Sequence, residues 1–305
     1  MNWGNQDSYI ELYPPSEFNF NECLVFLGRS NLEIMHRIKE STIYKLLAFD
    51  QTFVIIKIGC YENIVRVEFP LGKPSEIICE KVAEYVWEWF DLDKDLTHFY
   101  KLAHNEKVLG PLVQKYYGLR IIGISDMFEA LTWAIMGQQI NLTFAYTLKR
   151  RFVEHYGEKL EWDGKVYWLY PTPQKIAQLQ VEDLKNLQFT TRKAEYIIDL
   201  AKEMTNGSIS KESILQIKEY EQQYQSLMSI RGVGAWTADY VMMKCFQRSI
   251  AFPIADVGLH NALKIQLGLL EKPTIMEIKE LAVNWEGWQA YATFYLWRSL
   301  YEEAI

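Results

Sequence analysis

The pattern of apolar positions changes character about a third of the way along the chain. Residues 42–49 (Thr-Ile-Tyr-Lys-Leu-Leu-Ala-Phe) and 52–58 (Thr-Phe-Val-Ile-Ile-Lys-Ile) are rich in β-branched and aromatic residues and are parted by Asp50-Gln51. Two such runs two residues apart predict a hairpin, although Asp-Gln is a poor pair for a mirror-image turn. Residues 63–69 alternate apolar and polar, which predicts a half-buried third strand. Gly72-Lys73-Pro74-Ser75 then opens a helix on which Ile77, Ile78, Val82, Tyr85, Val86 and Trp89 share a face. The expectation for residues 1–92 is a small antiparallel sheet covered by helices.

Past the polar connector Asp91-Leu92-Asp93-Lys94-Asp95 the strand signals fade and helical spacing takes over. Residues 128–152 form a long helical region interrupted at Gly137-Gln138-Gln139-Ile140-Asn141, which marks a break between two helices. Tyr170-Pro171-Thr172-Pro173 restarts a helix, with Thr172 as N-cap and Pro173 at the first helical position. Residues 181–187, 193–204 and 213–230 continue the helical pattern, and residues 275–301 are helical and dense in aromatics. No internal repeat or low-complexity tract is present. The fold class is therefore α+β: an N-terminal antiparallel sheet domain with helices, then a mostly helical region over residues 93–305.

Between residues 227 and 238 an apolar helix end (Leu227, Ile230) runs through Arg231-Gly232-Val233-Gly234 straight into a new helix at Ala235. Glycines one residue apart allow a tight turn and leave N–H groups open at the next helix start, a geometry that binds an anion such as phosphate. The bland alternative is a plain turn; the helix–turn–helix context favours phosphate binding. On the second helix, Ala238, Val241, Met242 and Cys245 fall at core spacing, while Trp236, Tyr240, Met243 and Gln247 fall on another face. Large aromatics at i and i+4 are ordinarily core, and periodicity alone favours that reading for Trp236 and Tyr240. Their other reading is a flat-walled pocket for an unstacked base.

Asp256 follows the Pro253 break, where a further helix should begin. An aspartate there is ordinarily an N-cap. One helix and one loop after Gly234, it can also return to the pocket mouth, where a carboxylate stabilises a sugar cation or orients a water. Gln138, Gln139 and Ile140 read either as a polar helix–helix turn or as a wedge that fills the gap left by an extruded nucleotide. Lys149, Arg150, Arg151, Arg192 and Lys193 read as phosphate contacts or as solvated helix faces.

Composition narrows these options. The 305 residues suit two or three packed lobes, and 49% hydrophobic with 23% charged content describes a globular chain. Cys23, Cys60, Cys79 and Cys245 show no metal-type spacing, which argues against a zinc site or an iron–sulfur cluster. No signal peptide or membrane span is legible, so the chain reads as soluble, reduced and cytoplasmic. The formal net charge of −7 is the wrong sign for bulk attraction to nucleic acid. Any such contact must then be a local patch or rest on backbone N–H groups.

Several stretches together resemble the helix-hairpin-helix DNA glycosylase superfamily, and within it the bacterial alkylation-repair family of 3-methyladenine-DNA glycosylase II. They are Gly118-Leu119-Arg120, Asp126-Met127-Phe128-Glu129, Ala134-Ile135-Met136-Gly137-Gln138-Gln139, Tyr170-Pro171-Thr172-Pro173, Arg231-Gly232-Val233-Gly234-Ala235-Trp236-Thr237-Ala238 and Pro253-Ile254-Ala255-Asp256-Val257-Gly258-Leu259, with the aromatic C-terminus. The resemblance covers residues 85–300, and more weakly the N-terminal sheet.

It implies two helical lobes: a central one at about 125–245 with the hairpin at 221–246, and a second from 93–124 and 257–305. It implies that Asp256 is the catalytic carboxylate in the cleft between them, and that Trp236, Tyr240 and Trp297 line the base pocket. Arg231, Gly232, Val233 and Gly234 would grip phosphate, with Na⁺, K⁺ or Mg²⁺ held by the backbone at Ile230 and Gly232. Gln138, Gln139 or Ile140 would enter the duplex.

The implied activity is monofunctional hydrolysis of the N-glycosidic bond of alkylated purines in double-stranded DNA, by a monomer needing no cofactor. Aromatic walls would favour a cationic base by about 0.5–2 kcal/mol per contact. Three departures bear on this. Trp236 stands where bifunctional relatives carry a lysine nucleophile, so no lyase step is expected. No cysteine follows Cys245, where endonuclease III-like members hold an iron–sulfur cluster. Arg231 replaces the usual proline and adds a charge near phosphate. The rival reading is a non-catalytic DNA-damage-binding protein using the same hairpin, and a third is a helical interaction scaffold.

Overall fold

Alternating side chains build the N-terminal part. In the computed structural model, which describes residues 1–301, its elements in chain order are β1 (Trp3–Asn5), β2 (Tyr9–Leu12), α1 (Phe20–Leu27), β3 (Arg37–Lys39), β4 (Thr42–Phe49), β5 (Thr52–Tyr61), β6 (Ile64–Glu68) and α2 (Glu76–Trp89). The strands form one six-stranded antiparallel sheet in the order β1-β2-β6-β5-β4-β3. The β4–β5 hairpin pairs Phe49 with Thr52, and Asp50 takes φ 55 to close it. One sheet face, including Ile43, Leu47, Ile56, Ile58 and Val67, joins the main core with Phe26 of α1 and Val82 of α2. The sequence pattern predicted three of the strands; β1, β2 and β3 are too short to show a period.

The helical region comprises α3 (Thr97–His104), α4 (Leu109–Lys115), α5 (Met127–Gly137), α6 (Leu142–Tyr156), β7 (Glu158–Trp162), β8 (Lys165–Leu169), α7 (Pro173–Ile176), α8 (Val181–Lys185), α9 (Thr191–Thr205), α10 (Lys211–Leu215), α11 (Tyr220–Met228), α12 (Ala235–Lys244), α13 (Val257–Gln266), α14 (Ile275–Ala282) and α15 (Gln289–Arg298). Thr172 caps α7 by accepting from Lys175 N, with Pro173 in the first turn. Among the described residues, no helix is long and apolar enough to cross a membrane.

Two expectations are corrected. Strand structure does not end with the N-terminal part, because β7 and β8 form a second hairpin. Asp163 and Gly164 turn it with φ 49 and 64, the two positive values that a two-residue mirror-image turn requires. The hairpin packs on the sheet's other face: Tyr167 meets Leu46 and Ile55, and the Trp162 ring stacks on Tyr44 with centroids 6.1 Å apart. Residues 213–230, expected as one helical stretch, are two helices. The chain breaks after Leu215, and Gln223 Nε2 donates to Ile217 O at 2.6 Å to hold the bend.

Candidate active site

The α11–α12 connection turns through Gly232, whose φ of 90 is open to glycine and strained for other residues. A Cβ there would lie 2.4 Å from the Tyr196 ring, so the position also needs the missing side chain. Val233 N donates to Ile230 O at 3.0 Å to close the turn, and buried Val233 anchors it. Ala238 N makes the first helical bond, to Gly234 O at 2.9 Å. The N–H groups of Ala235, Trp236 and Thr237 precede it and lack a partner four residues back. A Cβ on exposed Gly234 would meet nothing within 4 Å, so an anion can approach them closely.

Asp256 caps α13, and it does more than cap. Its Oδ1 accepts from Leu259 N at 2.8 Å and from Trp297 Nε1 at 2.7 Å, while Oδ2 accepts from Trp236 Nε1 at 2.9 Å. Three donors from α12, α13 and α15 thus fix one carboxylate. With about two acceptor sites per oxygen, Oδ2 keeps one free. The Tyr240 ring lies 5.6 Å from Trp236 and 6.2 Å from Trp297, centroid to centroid. The residues that spacing left open between core and pocket are therefore together, with Trp236 and Asp256 half-buried and Tyr240 and Trp297 buried. Met243, assigned to the same face, is core, and Gln247 leaves the helix at φ 52 to donate to Glu88 O at 2.6 Å.

The α5–α6 break reaches the hairpin directly. Gln138 Nε2 donates to Gly232 O at 2.9 Å and to Thr237 Oγ1 at 3.0 Å. Its carboxamide faces inward, and Ile140 is half-buried against the core. Of the three residues expected to probe a duplex, Gln139 is the exposed one, at φ 57. Lys193 Nζ donates to Met136 O at 2.7 Å and satisfies the end of α5 just before this turn.

The charges expected to meet phosphate are redirected. Arg231 pairs with Glu195 at 2.6 Å and with Asp199, because α9 places both carboxylates beside the turn. Lys149 is buried between Glu33 and Glu129, 3.0 Å from each. Arg150 pairs with Glu154 at 2.8 Å, and Arg151 donates to Gln188. Arg192 remains exposed at the start of α9. Apart from Arg192, these side chains are therefore less available to an anion than the hairpin N–H groups.

Behind Tyr240 lies a cavity of about 450 Å³, lined among others by Phe26, Arg29, Trp133, Tyr146 and Lys244. Sequence reasoning missed these residues. The signal available was Lys244, a charge inside the apolar run Val-Met-Met-Lys-Cys-Phe, eight residues beyond Trp236 and so on the same helical face. The four cysteines are free, and among the described residues no cluster of three or more His, Cys, Asp or Glu could hold a metal.

A helix-hairpin-helix presenting backbone N–H groups, beside an aspartate ringed by indoles, defines a class of DNA base-excision proteins. The chain belongs to the HhH-GPD superfamily of base excision DNA repair proteins, whose family model matches residues 132–287. The model of the 8-oxoguanine DNA glycosylase N-terminal domain matches residues 12–131. A DNA-3-methyladenine glycosylase of Bacillus subtilis is 42% identical over 99% of this chain and 100% of its own length. DNA-3-methyladenine glycosylase 2 of Escherichia coli is 31% identical over 62% of this chain and 63% of its own. Among solved structures, the 3-methyladenine DNA-glycosylase of Archaeoglobus fulgidus superposes with a TM-score of 0.81 at 23% identity, covering 94% of this chain and 97% of that one. The similarity at that identity is one of fold.

Proposed function

We propose that the protein is a monofunctional DNA glycosylase that extrudes alkylated purines of the 3-methyladenine and 7-methylguanine type and hydrolyses their N-glycosidic bond. The observation that carries this is the Asp256 carboxylate, held by the Trp236 and Trp297 N–H groups next to the hairpin. Alkylation leaves the base positively charged, so it departs neutral and needs little protonation. The barrier then falls on the sugar, where cationic charge develops next to a fixed carboxylate. The free acceptor site of Oδ2 supports either stabilisation of that cation or orientation of the attacking water.

Double-stranded DNA is the partner, bound by a monomer through the hairpin N–H groups, with Gln139 filling the gap left by the extruded base. A monovalent or divalent cation fits the carbonyls of Ile230 and Gly232. Each already accepts one bond, from Val233 N and from Gln138 Nε2, and keeps a second lone pair. Such an ion would add positive charge beside the gripped phosphate.

A single-turnover assay on duplex DNA carrying one alkylated purine tests the reading. Free base should appear without strand cleavage, and borohydride should trap no adduct, because Trp236 offers no amine. Binding to such DNA with no base release would instead favour a damage-binding protein.

A further inference from the structure

The three residues Trp236, Tyr240 and Lys244 recur every fourth position along α12 and so descend one helix face by about 12 Å. The first meets Asp256, the second forms the wall, and the third lies below it. Lys244 is 3% exposed. Its Nζ stands 4.8 Å from the Phe26 ring centroid and 4.7 Å from that of Phe294, whose rings are 4.5 Å apart. Among the described residues it has neither a hydrogen-bond acceptor nor a carboxylate partner. The Arg29 guanidinium lies 3.9 Å over the same Phe26 ring and gives one N–H to Phe26 O at 2.7 Å, keeping further donors in hand.

The cavity's two other lysines are engaged. Lys149 lies between Glu33 and Glu129, and Lys45 donates to Met35 O at 3.0 Å. Lys244 and Arg29 are thus the cationic donors left facing the space behind Tyr240. A buried donor without an acceptor is costly, and one that a ligand satisfies becomes a selector.

We propose that Lys244 and Arg29 form the floor of the base pocket and select extruded purines that carry a carbonyl at C6. This rests on the glycosylase reading proposed above, with the extruded base held against Trp236, Tyr240 and Trp297. The far edge of a 6-oxopurine offers the O6 acceptor, whereas an adenine-type base presents an exocyclic amino donor there. Burial, and then the neighbouring Arg29 charge, hold the Lys244 amine well below the usual lysine range. Arg29 and Phe26 come from α1 and its end, so the N-terminal part of the chain supplies half of this floor.

The test uses the full chain with Lys244→Met, which keeps the length of the side chain and removes the donor, and Arg29→Met as a second variant. Single-turnover excision is measured on duplexes containing hypoxanthine, 7-methylguanine or 3-methyladenine. The ratio of 6-oxopurine to 3-methyladenine release should fall at least about tenfold in either variant. An unchanged ratio in variants that melt like the wild type would overturn the proposal.

Tryptophan fluorescence titrations with free hypoxanthine and free adenine read the floor without catalysis. Hypoxanthine should bind the wild type more tightly, and Lys244→Met should erase the difference. Equal binding in the wild type, or a difference that persists in the variant, counts against the proposal. A wild type that releases no base but shows this preference would sink the glycosylase reading alone.

Discussion

Trp297 and Asp256 are joined by a 2.7 Å hydrogen bond from the indole Nε1 to Oδ1, the same oxygen that caps α13 through Leu259 N at 2.8 Å. Helix capping and site chemistry are therefore one structure. Asp256→Asn should leave the cap intact, because an amide oxygen also accepts from Leu259 N. It removes the negative charge. Base release is expected to fall by about 10²–10³-fold, with binding to an abasic-site analogue retained. Excision within a few-fold of wild type would take Asp256 out of the reaction.

The neighbour that keeps this pair close is Gly258. A Cβ there would lie 2.9 Å from Asp256 Oδ1 and 3.2 Å from Trp297 Cδ1 and Nε1. Gly258→Ala should push the carboxylate and the indole apart and slow excision about 10–100-fold, with a small change in melting temperature. A kinetic measurement beside a thermal melt separates misplacement from unfolding.

Gly232→Ala should act on the hairpin. The backbone conformation alone costs about 1–3 kcal/mol for a residue with a side chain, and the overlap with Tyr196 adds to it. Denaturant titration should show the loss of stability. DNA affinity should drop beyond what the lower stability explains, as the turn moves and its N–H groups lose their aim.

Stability should depend on pH through Asp239. Burial pushes this carboxyl up to about 7, with only a 3.4 Å bond from Phe252 N opposing it. Asp91 is pushed up to about 6 by burial, against a bond from Tyr291. A carboxyl whose value is raised on folding holds its proton in the native state while the unfolded chain has lost it. Stability from these groups is then complete below about pH 4 and declines as pH rises to about 7. Asp239→Asn should flatten part of that slope, so its advantage over wild type in urea denaturation grows from about pH 4 to about pH 7 and then levels off.

How much of this was legible in the sequence varies with the physics involved. The β4–β5 hairpin and the α5–α6 break were readable because alternation and turn residues are local. The β7–β8 hairpin was overlooked although Asp163-Gly164 is a strong local turn signal, because helical neighbours on either side masked two short strands. Trp236, Tyr240 and Asp256 were legible as residues, but the meeting of two indole donors and one backbone donor on one carboxylate joins three helices and lies outside any spacing rule. The pairing of Arg231 with Glu195 and Asp199, and of Lys149 with Glu33 and Glu129, depends on contacts between distant segments that no spacing rule encodes. Charge on a helix face was readable; its partner was not.

The bonds from Gln138 to Gly232 O and Thr237 Oγ1 have a mechanical consequence. They fasten the turn that carries Gln139 to the turn that presents the N–H groups proposed to bind phosphate. In the proposed function, holding the backbone and testing the stack would be set at one fixed offset, as by the two jaws of a caliper. A protein built to that proposal would gauge each nucleotide of a duplex against a constant length, and would recognise a weakened base pair where the strand yields to that gauge.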